Sequence, residues 1–255
     1  MYTAERRSRR PLLVLSVVGV VVGGVAAVSA LSGDGGGAPP ASRPSVSAPP
    51  AGGGGGADSR TTMTPAKGKK VALEVPTGSE GGAATGFPRT ARGAVSAAVY
   101  FWEGYAFLDD RAARRQLAAV TSPDATGYVD KRVSEVRELR EGAGLPPSGP
   151  APAGITFTTT VNAVRPTSIL LPGEEPGDVV QVWMSYDQHG IEAGAGADTS
   201  PLTGETTSLI LKWQNKAWKL TDEPKYQAKG SFPAAYDPHS PHAWTDGWTR
   251  VHHVD

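Results

Sequence analysis

Apolar residues fill positions 11–31 without a single charge, and the stretch from 32 to 86 is almost bare of them. Beyond residue 87 the pattern changes from helical to alternating. Across residues 90–107, Ala94, Ala97, Ala98, Phe101, Tyr105 and Leu108 recur at helical spacing, while Val95, Val99, Trp102 and Ala106 form a second face. A helix that is apolar nearly all round predicts enclosure by other elements. Asp109 or Asp110 is placed to cap a second helix running to about Val120, with Thr121, Ser122 and Pro123 closing it. A third helix is predicted over 126–140, with Val129, Val133 and Val136 on one side. Lys131 with Glu135 and Arg137 with Glu141 are spaced as i,i+4 pairs on its solvated side, and Gly142 and Gly144 stop it.

After the proline-rich break at 146–152, Ile155, Phe157, Thr159, Val161 and Ala163 alternate with threonines and Asn162, which predicts a strand with one buried face. A second strand is predicted over 178–188, around Trp183 and Tyr186. Residues 206–220 read as a hairpin. With Asn215 and Lys216 as a two-residue turn, Trp213 lies opposite Trp218 and Leu211 opposite Leu220. Asparagine suits the left-handed backbone of such a turn; lysine suits it less, which leaves a longer loop open. Three helices followed by a four-stranded antiparallel meander make an α+β domain over 87–224.

The ends of the chain carry other signals. Residues 11–31 are long enough to cross a hydrocarbon core of roughly 30 Å as a helix. Arg6, Arg7, Arg9 and Arg10, against Glu5, predict a cytoplasmic basic flank over 1–10 and a single-pass signal anchor in the cell membrane, with the remainder outside. Two other readings stand beside it: a signal peptide cleaved after Ala30, and a twin-arginine signal around Arg9 and Arg10. Residues 32–86, dominated by Gly, Pro, Ala and Ser, are too poor in apolar side chains to build a core and predict a disordered tether. Its root-mean-square reach is on the order of 40 Å. Within it, residues 69–76 offer one possible edge strand, and Lys67, Lys69 and Lys70 form a small basic cluster. The Pro- and aromatic-rich tail, 225–255, is predicted to dock on the domain, with Ser240 and Pro241 starting a short helix that sets Trp244 and Trp248 on one side.

Charge and composition narrow the function classes. The chain has no cysteine, hence no disulfide and no thiolate chemistry. The basic flank leaves 21 of the 25 basic and 24 of the 25 acidic residues beyond it, so the outer part is mildly acidic and nucleic-acid binding is disfavoured.

The order of elements over 86–224 and the Trp213/Trp218 hairpin resemble a nuclear-transport-factor-like (NTF2-like) domain, a curved four-stranded sheet wrapped round a long first helix. With the small-residue entry to that helix at 86–98, the chain resembles actinobacterial single-pass envelope proteins, whose relatives include inner-membrane assembly factors of conjugation and type IV secretion machines. The resemblance implies an assembly module with envelope protein partners or a second copy of itself. It also implies an alternative: a small-ligand or isomerase-like site in the cone, needing a carboxylate base and a tyrosine donor. Tyr105, Asp109, Asp110, Tyr128, Tyr186 and Asp187 are the candidates for it. Asp109 and Asp110 are better read as caps, Tyr105 and Tyr186 as core. No catalytic set is assigned, and no cofactor. His239, His242, His252 and His253, with Asp237 and Asp246, lack a recognised zinc-ligand spacing, so no metal site is assigned either.

Overall fold

Helix α1 (Ala91–Glu103) is the axis of the molecule. Gly93 to Val99, Phe101 and Trp102 are all buried along it. Thr90 caps it by accepting a hydrogen bond from the Gly93 amide at 2.9 Å, and Gly104 ends it a turn earlier than the apolar pattern alone suggests. A Cβ at Gly93 would collide with the Pro88 carbonyl, so glycine lets the entry loop lie directly on the helix. The computed structural model describes residues 68–192, 198 and 201–253. The flank 1–10, the apolar run 11–31 and most of the expected tether lie outside the described residues. Among those described, no helix is long and apolar enough to cross a membrane.

Helix α2 (Asp110–Val120) is capped by Asp109, whose carboxylate accepts from the amides of Arg111 and Ala112. Helix α3 (Tyr128–Gly142) starts after Gly127, which takes a left-handed conformation with φ +81°. Strands β4 (Ile155–Ser168), β5 (Val179–Glu192), β6 (Leu202–Gln214) and β7 (Ala217–Thr221) form the expected antiparallel meander. Asn215 and Lys216 both adopt positive φ, +52° and +63°, as a type I′ turn requires, and Trp213 faces Trp218.

The four-stranded NTF2-like cone is not the fold. The sheet has six strands in the order β1-β8-β4-β5-β6-β7, because β1 (Lys70–Ala72) and β8 (Thr249–His252) pair in parallel and extend it past β4. A separate hairpin, β2 (Gly78–Glu80) with β3 (Ala83–Thr85), lies against α1 and α2. Residues 70–85 were expected as tether, yet Leu73 and Ala83 are buried in the core. Two short helices, α4 (Pro224–Gln227) and α5 (Pro241–Thr245), complete the elements.

One sheet face packs on α1 through Val161, Val164, Val182, Met184, Leu209 and Leu211. Strict alternation along β4 predicts Ala163 on that face with Val161. A bulge between Val161 and Ala163 reverses the phase, so Val164 joins the core and Ala163 turns to the opposite face. That opposite face is covered by the tail. Tyr226 packs with Ile169, Val179 and Ile210, while Ala243 and Trp248 pack with Ala163, Trp183 and Tyr236. Trp248 lies beyond the end of α5, not on it, and donates its indole N–H to the Ala234 carbonyl at 3.0 Å.

Because Trp248 is 2 % exposed, Trp248→Ala should cost about 3–5 kcal/mol. Urea unfolding measures the loss, and amide exchange should show β8 and β1 opening first, since Trp248 directly precedes β8.

Candidate functional site

The sequence nominates three tyrosines and three aspartates, and the fold separates them. Tyr105, Tyr128 and Tyr186 gather around Trp102 and Arg132 at one end of α1. Trp102 stacks on Tyr105 with ring centroids 6.3 Å apart, and meets Tyr186 edge-on at 5.4 Å and Phe107 at 5.0 Å. The Arg132 guanidinium, contributed by α3, lies 6.0 Å from the Trp102 ring centroid and 5.9 Å from that of Tyr128. It binds Glu135 at 2.8 Å. Sequence reading assigned no role to Arg132, because its spacing on α3 placed it among charges taken as solvated; it is 7 % exposed.

Burial drives the phenols of this cluster strongly toward the neutral form. The Tyr105 and Tyr128 pKa values rise, each opposed by the nearby Arg132 charge. Tyr186 is pushed up to about 12 by burial and by Glu205, which faces it across β5 and β6. The cluster therefore offers neutral hydroxyl donors and a cation. Trp102 Nε1, Tyr105 Oη and Arg132 Nε are buried and lack a hydrogen-bond partner among the described residues. Phe101, Trp102 and Tyr105 fill the space beneath the sheet, each 7 % exposed or less.

The aspartates have structural work elsewhere. Asp109 caps α2. Asp187 accepts from the Gly204 amide at 2.8 Å. Asp110 is 2 % exposed and receives the Gly149 amide, the Ser148 hydroxyl and the Arg137 guanidinium. Arg140, also buried, donates to the carbonyls of Leu108, Pro146 and Pro150, so the two side chains together tie the proline-rich break to the helices. The histidines do not converge. His239, His242 and His252 are exposed, and His253 meets Glu103 at 2.9 Å. No group of three potential metal-ligating side chains forms among the described residues.

A cavity of about 200 Å³ opens between the β2–β3 hairpin and β7. Ala97 and Phe101 of α1, Val120, Leu211, Trp218 and Leu220 form its apolar walls, with Glu80 at its rim. It is smaller than the roughly 300–1,000 Å³ usual for small-molecule sites. Its polar groups are partly spent: Trp218 donates its indole N–H to the Pro88 carbonyl at 2.8 Å, and Lys219 its ammonium to the Ala119 carbonyl at 2.6 Å. Against protein-family models, curated proteins and solved structures alike, the chain finds no match.

Burial raises the Asp110 pKa, but the Gly149, Ser148 and Arg137 hydrogen bonds outweigh it and lower the value from 3.8 to about 2. A carboxylate whose folded pKa is depressed stabilises the fold above its unfolded pKa, and that stabilisation is lost as pH falls through the folded value. Asp110→Asn should cost about 1–3 kcal/mol at neutral pH, because it disrupts a buried acceptor with three donors. It should also remove part of the stability decline between about pH 4 and pH 2, read by urea titration of both proteins across that range.

Proposed function

We propose that this chain is a membrane-tethered module on the outer side of the cell membrane, acting through protein contacts in a cell-envelope assembly such as a conjugation-type machine. The reading is carried by one conjunction. A basic flank and an uncharged run at 11–31 precede a Gly/Pro-rich tether, and the domain they hold has its nominated acid–base groups engaged in a helix cap, a backbone hydrogen bond, an ion pair or the core. An address and a reach of several nanometres suit a surface that must meet other envelope proteins.

Deleting residues 11–31 should move the protein from the membrane to the soluble fraction, and a periplasm-dependent reporter fused after residue 255 should be active only in the undeleted chain. Crosslinking in intact membranes should then recover envelope neighbours; recovery of none counts against the assembly reading.

A further inference from the structure

The cavity between the β2–β3 hairpin and β7 has the features of a slot for an extended peptide. We propose that it receives a short segment of a partner protein, one bulky apolar side chain entering the cavity and a basic residue beside it meeting Glu80. The proposal rests on the interaction reading above and gives the bound segment its chemistry.

Strand register supplies the first argument. In the β6–β7 hairpin the turn at Asn215 and Lys216 makes Gln214 and Ala217 the closing hydrogen-bonded pair. Trp213 with Trp218, and Leu211 with Leu220, are then non-hydrogen-bonded pairs whose amides and carbonyls point off the outer edges. The neighbours confirm the phase: the Trp213 amide donates outward to the Asp178 carbonyl at 2.7 Å, and the Leu220 carbonyl accepts outward from Ser122 at 2.8 Å. By the same phase, the Trp218 amide and carbonyl point off the outer edge of β7, the terminal strand of its sheet. The β2–β3 hairpin repeats the pattern. Gly81 and Gly82, at φ +59° and +88°, turn between Glu80 and Ala83, so Ala84 faces Ser79 in a non-hydrogen-bonded pair and directs its amide and carbonyl outward. No pairing joins β3 to β7, although Ala84 and Trp218 line the same cavity. Two strand edges thus border one apolar hole.

Size and charge supply the rest. A dry apolar cavity of about 150 Å³ is enough to bind a benzene-sized ring, so 200 Å³ accommodates one aromatic or branched aliphatic side chain. Glu80 is exposed at the rim and has no ion pair among the described residues. Lys219, the cation that lines the same cavity, is turned onto the Ala119 carbonyl instead. The rim is therefore acidic and selects a basic neighbour. In strand addition of this kind, main-chain hydrogen bonds give affinity and the side-chain pocket gives specificity. The bridge between Thr121 and Leu220 blocks β7 beyond Lys219, which limits the added segment to a few residues.

The test pans a phage-displayed library of random 12-residue peptides against the full chain in detergent micelles, then measures binding of the enriched peptides by fluorescence polarisation. Enriched sequences should share one bulky apolar residue with a nearby Lys or Arg. Ala97→Phe, which fills the cavity from α1, should weaken binding at least tenfold. Ala84→Pro removes one outward amide without touching the β2–β3 ladder and should weaken it several-fold; Glu80→Lys should abolish the basic preference while leaving the fold intact. Amides of Ala84 and Trp218 should gain exchange protection with peptide bound. Peptides that bind Ala97→Phe and wild type equally, or that leave both amides unprotected, overturn the proposal. So does stabilisation by indole with no peptide enriched, which marks a small-ligand cavity instead. Membrane crosslinks that persist in Ala97→Phe refute the slot while the interaction reading stands; absence of crosslinks in the wild type refutes that reading instead.

Discussion

A helix buried round most of its circumference imposes the architecture. Ala94, Ala98 and Val99 of α1 are fully buried and Val95 and Trp102 nearly so, and the buried Gly93, Ala97 and Phe101 carry that face further round the axis, leaving a narrow strip with Arg92 and Glu103 toward solvent. Burying them on one side needs only a sheet. Burying them on all sides needs a second layer, and the chain makes it from α2, α3 and the β2–β3 hairpin. The small residues at the start of α1 let these layers approach closely; Gly93 touching the Pro88 carbonyl is the tightest instance. Apolar burial at about 25 cal/mol per Å² is the main favourable term available to a chain without cysteine.

Enclosing α1 leaves the far side of the sheet to be covered, and the tail does this with few residues. Trp183 Nε1 donates to the Ser231 carbonyl at 2.7 Å, Gln181 accepts from the Ser231 amide at 2.8 Å, and Arg165 reaches the Asp246 carbonyl at 2.6 Å. Buried polar side chains on that face are thus satisfied by tail backbone, which stops the tail from behaving as a loose apolar cover. The tail's end, β8, then offers the template on which β1 pairs. A Cβ at Gly68 would run into the Trp244 ring, so the first described residue is already packed on the tail.

This dependence explains what the sequence disclosed. The hairpin turn, the cap at Asp109 and the enclosed helix were legible because each depends on residues close together in the chain. Lys70 to Ala72 were legible only as a possible edge strand, because their partner, Arg250 to His252, lies about 180 residues away and parallel pairing leaves no local turn signal. The bulge in β4 was hidden for a different reason: Val161, Asn162 and Ala163 fit strict alternation, and only the apolar Val164 directly after Ala163 marks the change of phase that turns Ala163 to the tail. Of the candidate site, Tyr105 and Tyr186 were legible as core. Arg132 was not, since a charge on a helix face rich in other charges reads as solvated unless the two aromatic rings that lie across from it are known.

The Arg132 cluster has a physical logic without assigned chemistry. Removing a guanidinium from water is expensive unless its charge is matched, and here the match comes from Glu135 and from the faces of Trp102 and Tyr128. The same positive charge opposes the burial that raises the Tyr105 and Tyr128 phenol pKa values. A proton acceptor for acid–base work has to be unengaged near pH 7. The carboxylate in contact with Arg132 is already neutralised by it, and the phenols are held in the donor form. The cluster is therefore rich in donors and short of bases, an arrangement suited to holding α3 against α1 or to receiving an acceptor oxygen. The surface toward β7 has the opposite character, an acidic rim over an apolar hole between two strand edges. Two sides of one helix thus differ in what they can attract, and the side toward β7 borders the cavity lined by Ala97 and Phe101.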